Sequence, residues 1–365
     1  MTEKANPEHL YEKVASAIRT EVNEGRYAVG ESIPSLRALA KSFEVGVPTV
    51  RQAIQLLANE GLLYTKPGSG IYVKNRVSSR HSQIALVLPD ISNPFYAEIT
   101  RAVETTCRKA GFQVMLFNTF YDENEESRVL ADLIEQNIGG IIIAPIPEAD
   151  NGETYRAVQR SGIPIVSIVR ELNGVESSSV VTEDYNGVRD LLDYLIQIGH
   201  ERIGYIASHP SNRRKVALQA YKDALKANGL EYRDEWVQMS ALQGISGGKE
   251  AVIKMLAFTE KPTAIFACND LTAIGALHGI RQIGLQVPED IAVIGFDNIE
   301  VAEYLEVPLT TVGQPKTEMG KIGAKLIIDQ IQGRSPELHK VSLQPKLIVR
   351  QSCGSLVMAR RRAGA

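Results

Sequence analysis

The fold of the N-terminal part is decided by a stretch that ends in Lys66-Pro67-Gly68-Ser69-Gly70-Ile71-Tyr72-Val73. Apolar residues recur at helical spacing over residues 10–22, and a second apolar helix follows Ser35, a good N-cap. A third helix follows the turn Val45-Gly46-Val47, with Pro48 in its first turn, and the quoted Gly-rich stretch predicts a β-hairpin wing. This order of elements predicts a winged helix-turn-helix, whose common use is to place one helix in the major groove of DNA.

Length and composition limit the possible classes of protein. The chain has 365 residues, enough for two or three domains, and its 44% hydrophobic and 23% charged residues are typical of a soluble globular protein. No apolar run approaches the ~20 residues of a membrane span, and the polar first six residues contain no signal-peptide core, which favours the cytoplasm. The three distant cysteines, Cys107, Cys268 and Cys353, are expected to be buried or inert thiols.

The charge is spread unevenly along the chain. Residues 1–80 hold eleven Lys and Arg against eight acidic residues, whereas the whole chain has a net charge of −3. A mildly basic head on an acidic body is consistent with DNA binding that is confined to the head. Residues 76–82 lack apolar periodicity and are expected to be a flexible linker, with ordering over the DNA backbone as the alternative.

From residue 83 onward, short apolar runs alternate with amphipathic segments. The repeated β–α–β pattern predicts a doubly wound α/β body with parallel sheets, which splits into two halves near residues 205–208. The predicted strands are 84–88, 113–117, 140–144, 164–168, 203–207, 264–268 and 291–295. The predicted helices are 97–110, 127–136, 185–198, 215–228, 248–256 and 271–283, and two later segments, 316–331 and 346–350, can cross back between the halves.

Polar and aromatic side chains cluster just after several predicted strands. Ligands of open α/β sheets bind at that end of the strands, and two such halves would form a cleft between them. The clusters are Ser92-Asn93-Pro94-Phe95-Tyr96, Arg170, Asn269-Asp270 and Asp297-Asn298. Helix capping explains any single one equally well, but their shared location favours binding of a polyhydroxylated ligand.

Residues 8–74 resemble the head of the GntR family of bacterial regulators through the strings LYEKVASAIRTEV, GRYAVGESIPSLRALA, TVRQAIQLLANEGLL and GSGIYV. The resemblance implies DNA contacts from Arg37, Arg51 and the wing glycine, although a solvated helix face is the alternative for each arginine. The complete predicted DNA-binding set is Arg37, Thr49, Arg51, Gln52, Gly68 and Gly70. Val47 stands where the family usually has an arginine, so we expect base readout to differ from that of the usual operator.

Residues 83–354 resemble the LacI/galactose-repressor family and its periplasmic sugar-binding relatives. The matching strings are DISNPFYAEI, GIIIAP, FACNDLTAIGALHGIRQIGLQVPEDIAVIGFDN, PLTTVGQP and KLIVRQSC. The resemblance implies a type I periplasmic-binding-protein-like body of two subdomains, a helix-cap role for Asp270, and a set of effector contacts. These contacts are Asn93, Phe95, Tyr96, Arg170, Asn269, Asp297 and Gln314.

Two positions depart from the sugar-binding pattern of that family. Val169 stands where the family often has an aspartate before Arg170, and Ala217 stands where it has an arginine that grips sugar hydroxyls. Because lost hydrogen-bonding partners change selectivity strongly, we expect an unusual sugar, a sugar derivative or a less polar effector. Arg213 or Arg214 could substitute, although a solvated loop is the simpler interpretation.

Together these observations predict a ligand-responsive, DNA-binding transcriptional regulator that works as a homodimer. The resemblance favours a repressor over an activator. The expected domains are a winged helix-turn-helix at 1–75, a linker at 76–82, an effector-binding and dimerisation domain at 83–354 and a basic tail at 355–365. The tail, with three arginines at 360–362, is expected to be disordered, with a weak nonspecific DNA contact as the alternative.

Two other classes of protein share part of this sequence pattern. A transport-associated solute-binding protein would share the body, but it would carry a secretion signal and no DNA-binding head. A cleft enzyme is disfavoured because the chain lacks GxSxG, GxxxxGK[ST], a helix-opening GxGxxG and HExxH. The six histidines form no metal or triad spacing, so no metal, cofactor or membrane partner is predicted.

Overall fold

The computed structural model describes residues 7–23, 26–28, 30–59, 62–66, 69–73, 82–147, 150–207, 212–240, 242–335 and 337–355. The chain divides into two compact units, residues 1–82 and 83–365. Within the described ranges, no helix is both long and apolar enough to span a membrane. Gly68, the predicted linker up to residue 81 and the arginines at 360–362 lie outside those ranges.

The head, residues 1–82, combines a small helical core with a three-stranded antiparallel sheet. Its helices are α1 (Pro7–Asn23), α2 (Leu36–Ser42) and α3 (Val47–Asn59), and its strands, in sheet order, are β1 (Ser32–Ile33), β3 (Gly70–Val73) and β2 (Leu63–Lys66). Val14, Ile18, Val50 and Leu57 are buried together at the centre. These side chains recur on one face of α1 and of α3, which is why the two helices pack against each other.

Local signals place the helix boundaries of the head. Ser35 caps α2 as predicted, with its Oγ 3.3 Å from the amide nitrogen of Ala38. Val47, which was predicted to lie in the turn, is instead the first residue of α3. The reason is that the carbonyl of Gly46 already accepts the amides of Thr49 and Val50, so the helical hydrogen bonds begin one residue earlier.

The body contains two six-stranded sheets, each forming one subdomain. The first subdomain has, in sheet order, β14 (Lys340–Leu343), β8 (Ser178–Thr182), β7 (Ile165–Val169), β6 (Gly140–Ile143), β4 (Gln83–Leu88) and β5 (Gln113–Asn118). The second has β10 (Val237–Met239), β9 (Ile203–Ala207), β11 (Ala264–Ala267), β12 (Ala292–Asp297), β13 (Thr310–Gly313) and β15 (Lys346–Ile348). The body pairs are parallel except for β13 with β15, among the strands that the structure describes.

Helices cover the sheets. The first subdomain carries α4 (Phe95–Lys109), α5 (Glu123–Glu135), α6 (Gly152–Arg160) and α11 (Lys316–Ile331). The second carries α7 (Asp184–Ile198), α8 (Asn212–Ala227), α9 (Gly244–Leu256) and α10 (Asp270–Gln282), and short 3-10 turns occur at Asp234–Trp236 and Glu300–Glu303. Central strands such as β4 and β6 are buried along nearly their whole length, as parallel strands between two helical layers must be. The predicted α/β fold class is confirmed.

The boundary between the subdomains differs from the prediction. It falls between β8 and α7 rather than near residues 205–208, because α7 packs Val188, Leu191 and Leu195 into the core of the second subdomain. Periodicity reveals a helix but not which sheet it covers, so the sequence alone could not show this. The chain crosses again after β13 and after β14, and α11 returns to the first subdomain as predicted.

Candidate functional site

The outer side of α3 presents the predicted DNA-reading residues. Val50, Ala53 and Leu57 are buried against the head core, whereas Arg51 and Gln52 are exposed and Thr49 is half-buried. Arg37 on α2 is also exposed. An exposed arginine beside an exposed amide is chemically able to recognise base edges in a major groove.

The wing carries a feature that the sequence analysis missed. The Nζ of Lys66 lies 5.1 Å from the ring centroid of Tyr72 and 5.7 Å from that of Tyr64, and the Tyr72 hydroxyl lies 2.6 Å from the Ser69 Oγ. Gly70 opens β3 with φ +134°, a conformation that favours glycine. Two aromatic rings thus hold the Lys66 ammonium on the exposed wing, where it can reach a phosphate group.

In the body, the loop after β4 organises the first turn of α4. The Oδ1 of Asn93 accepts the amide hydrogen of Phe95 at 3.0 Å. Phe95 and Tyr96 follow directly, and their rings meet edge to face with centroids 5.0 Å apart. Both rings are almost fully buried. Asn93 therefore fixes the start of α4 and with it the position of the two aromatic rings.

Tyr121 is a second feature that the sequence analysis missed. It follows β5 and hydrogen-bonds to the side chain of Asn93, and it also interacts with Tyr96 and Arg170. Burial, reinforced by Tyr96 and Asp90, raises the pKa of Tyr121 well above the usual value of a phenol. Its hydroxyl is therefore neutral and able to donate at physiological pH.

Arg170 follows β7 at a tight turn. Val169 has φ +68°, and the amide of Arg170 donates to the carbonyl of Ile168 at 2.7 Å. The Nη1 of Arg170 donates to the carbonyl of Pro145 at 3.3 Å, while its buried Nε has no hydrogen-bond acceptor among the described residues. A buried guanidinium N–H without an acceptor is available to a ligand.

Asp297 and Gln314 belong to a chain of hydrogen bonds that joins the two subdomains. The Nε2 of Gln314 donates to Asp297 at the end of β12 at 2.6 Å, and its Oε1 accepts the hydroxyl of Thr182 at the end of β8 at 3.0 Å. Asp297 is 5% exposed and has φ +120°. Gln314 thus bonds to both subdomains from the segment where the chain crosses between them.

The structure corrects the predicted role of Asp270. Asn269 is the N-cap of α10, with its Oδ1 2.8 Å from the amide nitrogen of Thr272. Asp270 lies fully buried beneath the turn after β12, where it accepts the amide of Ile299 at 2.8 Å and the hydroxyl of Thr311 at 2.5 Å. Burial, with a contribution from the charge of Asp297, raises the pKa of Asp270 to about 7. Asp270 therefore supports the turn that carries Asp297.

Lys316 is buried in the first turn of α11. Its Nζ lies 2.8 Å from a carboxylate oxygen of Glu98 on α4 and 2.5 Å from the carbonyl oxygen of Asn298. Glu98 belongs to the first subdomain and Asn298 to the second. This ammonium group therefore links the subdomains beside Gln314.

The two positions that depart from the family pattern, Val169 and Ala217, are both buried apolar residues in the structure. Ala217 is buried in the core of the second subdomain, and four residues later the Tyr221 hydroxyl donates to the carbonyl of Ile203 at 2.6 Å. Val169 is likewise buried and brings no charge to Arg170. The side chains of Arg213 and Arg214 lie outside the described residues.

The described part of the chain contains neither a candidate metal site nor a disulfide. No group of three His, Cys, Asp or Glu residues there could hold a metal ion. Cys107 and Cys353 are buried and Cys268 is half-buried, and none forms a disulfide. Burial raises the pKa of Cys107 to about 12, so that thiol is inert as predicted.

Two family models match the chain: bacterial regulatory proteins of the gntR family at residues 10–73 and a periplasmic binding protein-like domain at residues 192–353. The HTH-type transcriptional regulator DegA of Bacillus subtilis (strain 168) is 31% identical over 341 residues, covering 93% of this chain and 99% of its own. The arabinose metabolism transcriptional repressor of Geobacillus stearothermophilus is 33% identical over 381 residues, covering 96% and 99%.

The similar solved structures are also transcriptional regulators. The chain is similar to the transcriptional regulator CelR in complex with cellobiose, with 29% identity, a TM-score of 0.69 and coverage of 88% of this chain and 100% of that chain. It is also similar to a LacI family transcriptional regulator from Enterococcus faecium with bound ribose, with 28% identity, a TM-score of 0.66 and coverage of 74% and 98%.

Proposed function

Because this chain belongs to the bacterial transcriptional regulators that join a gntR-family head to a periplasmic-binding-protein-like body, we propose that it represses transcription in the cytoplasm under the control of a carbohydrate-like effector. Membership of this family confirms the predicted fold class and the predicted regulatory, non-enzymatic function. The observation that carries the proposal is the exposed pair Arg51 and Gln52 on α3, within a head that is followed by an effector-type body.

The effector site lies in the body at the ends of the parallel strands. Asn93, Phe95, Tyr96, Arg170, Asn269, Asp297 and Gln314 are the proposed contacts. Aromatic rings, amides, a guanidinium and a carboxylate suit a ligand with hydroxyl groups and an apolar ring face. The cellobiose and ribose complexes of the similar structures support this ligand class.

Effector binding is coupled to DNA binding through the contacts that join the subdomains. Gln314 and Lys316 each bond to both subdomains, so a ligand beside Asp297 favours the arrangement in which these contacts fit best. By linkage, the ligand changes operator affinity by the same factor as the operator changes ligand affinity. A ligand that lowers operator affinity releases the protein from DNA, and a ligand that raises operator affinity strengthens repression.

The active form is proposed to be a homodimer that uses the equivalent edge strands of the two subdomains. β5 and β10 are each hydrogen-bonded to one neighbour within the described sheets, and both regions expose large apolar side chains. Leu116 and Phe120 do so near β5, and Met239 and Leu242 near β10. Exposed apolar edges favour association with another chain, and a dimer places two heads on half-sites related by symmetry.

The function is tested by selecting DNA from a pool of random duplexes with the full-length protein. We expect an inverted-repeat sequence to be enriched and Arg51→Ala to weaken binding to it by about five- to a hundredfold, the loss of one specific base contact. Arg128→Ala, which changes an exposed arginine on α5 of the body, is the matched control and should bind like wild type. Failure to enrich any sequence with folded protein would contradict the proposed operator binding.

A further inference from the structure

We propose that Tyr121 and Arg170 form a binding pocket for a carboxylate or phosphate group of the effector, which makes the effector a sugar acid or a sugar phosphate. The inference deepens the proposed effector-binding function of the body and rests on it. It adds Tyr121, which lies outside the motifs that carry the family resemblance, and it assigns a charge to the ligand.

Two strained turns bring these side chains together. Phe120 and Tyr121 follow β5 with φ +54° and +57°, and Val169 ends β7 with φ +68°. Non-glycine residues rarely adopt this left-handed conformation, and where they do the surrounding structure holds them, commonly at binding sites. The two turns come from different strands, yet each reaches toward the middle of the sheet: the amide of Tyr121 donates to the carbonyl of Pro89 after β4 at 3.1 Å, and Arg170 donates to the carbonyl of Pro145 after the neighbouring β6. The two strained turns thus lie at the same end of the sheet and position Tyr121 and Arg170 there.

Arg170 supplies a positive charge that the described residues leave unbalanced. Among the described residues, the one hydrogen bond of its guanidinium goes to the carbonyl of Pro145 and is long at 3.3 Å, its buried Nε lacks an acceptor, and no carboxylate forms an ion pair with it. The neighbouring position, which often holds an aspartate in the family, is the buried Val169. A guanidinium is always charged and offers five donors, so the group that matches it best is an anion.

Tyr121 supplies a second donor in a fixed position. The side chain of Asn93 hydrogen-bonds to Tyr121, and its Oδ1 already accepts the amide hydrogen of Phe95 at 3.0 Å, which favours donation from the amide nitrogen of Asn93 to the oxygen of Tyr121. The phenol oxygen is thereby engaged as an acceptor, and its own hydrogen remains to be donated. Since a phenol is neutral at physiological pH, Tyr121 and Arg170 together present hydrogen-bond donors and no negative charge.

The second subdomain presents the opposite chemistry. Asp297 at the end of β12 is a carboxylate that accepts from Gln314, and a carboxylate is suited to ligand hydroxyl groups. A ligand that spans these two ends of the site therefore needs an anionic group at one end and hydroxyl groups at the other. Sugar acids and sugar phosphates have both.

The test is calorimetric titration of the full chain with gluconate, galacturonate and ribose 5-phosphate, each beside its neutral parent glucose, galactose or ribose. Arabinose and cellobiose complete the neutral set. We expect one charged probe to bind at least tenfold more tightly than its parent, and the carboxylate and phosphate arms then identify which anion the pocket takes. Tyr121→Phe, which removes a single hydroxyl, should weaken that probe by about ten- to a hundredfold, the loss of a hydrogen bond to a charged group.

Arg170→Gln should abolish the preference for the charged probe over its parent. Tyr232→Phe is the matched control, since Tyr232 bonds to Asp234 ahead of β10 in the second subdomain, and it should bind like wild type. Circular dichroism verifies that each variant is folded. Equal affinity for a neutral sugar and its acid, or unchanged affinity in Tyr121→Phe, would overturn the inference while leaving a carbohydrate effector intact. If no probe of either kind binds to folded wild type, the carbohydrate effector itself is wrong, and this inference fails with it.

Discussion

Replacing Lys316 with methionine tests how the two subdomains of the body are held together. Methionine keeps the length and apolar stem of this side chain, which is 3% exposed, but removes its charge. Glu98 is then left with the Thr317 hydroxyl at 3.4 Å, and the carbonyl of Asn298 loses its donor. Losing one partner of a buried ion pair costs about 3–5 kcal/mol, and losing a hydrogen bond to a charged group about 1.5–3 kcal/mol.

The lower range applies here because Glu98 is 38% exposed and water can partly replace the ammonium. We therefore expect Lys316→Met to lower the free energy of unfolding by about 2 kcal/mol. Urea denaturation measures it, and the fluorescence of Trp236, the single tryptophan, reports on the second subdomain where it is buried.

The control is Lys325→Met, an exposed lysine on the same helix, which should change stability by less than about 0.5 kcal/mol. The double variant Glu98→Leu/Lys316→Met should recover part of the loss, because no unpaired carboxylate remains. If Lys316→Met is as stable as wild type and unfolds with the same urea dependence, the bridging role assigned to Lys316 is refuted.

Other contacts give further predictions. In Gly275→Ala, the new Cβ would lie 2.0 Å from the carbonyl oxygen of Ile245, so α9 and α10 must separate and the free energy of unfolding should fall by about 2 kcal/mol or more in a denaturant titration. Burial raises the pKa of Asp270 to about 7 in the folded state, above its value of about 4 in the unfolded chain. Between these two pH values the folded protein holds a proton on Asp270 that the unfolded chain has lost. The free energy of unfolding of wild type should therefore fall relative to that of Asp270→Asn as pH rises from about 4 to about 7. A flat difference between the two proteins in unfolding experiments across that range would contradict this. Leu116→Glu on the β5 edge should convert dimers to monomers in light scattering, whereas Tyr304→Glu, at an exposed residue outside both edge strands, should not; dimeric Leu116→Glu would argue against the β5 interface.

The predicted strands were mostly those with long apolar runs. β6 and residues 84–88 of β4 were recognisable because every one of these residues can be buried without a polar partner. β8 and β13 were missed because their buried hydroxyl residues look like loop residues until their partners are known. Thr311 donates to Asp270, and Ser178 accepts from the side chain of Gln330, and both partners are distant in sequence. Local patterns contain no information about such long-range pairs.

The sequence predicted which residues lie at the ends of the strands, but not what each of their side chains contacts. Strand ends and family strings located Asn93, Arg170 and Asp297. They could not show that Asp270 is a buried support, because this depends on a turn folding over it from β12. Tyr121 was missed for a similar reason, since the left-handed backbone after β5, which brings the amide of Tyr121 to the carbonyl of Pro89 after β4, depends on a contact distant in sequence.

The return of α11 and β14 to the first subdomain has a consequence for the order in which the protein is made. α11 covers β6, β7 and β8, and β14 extends their sheet, yet both elements are translated after almost all of the second subdomain. During synthesis the first subdomain therefore lacks its cover and exposes apolar strand faces to the cellular environment. The first subdomain can therefore complete its folding only after residues 316–343 have been synthesised, so both subdomains of the body reach their final structure late and together.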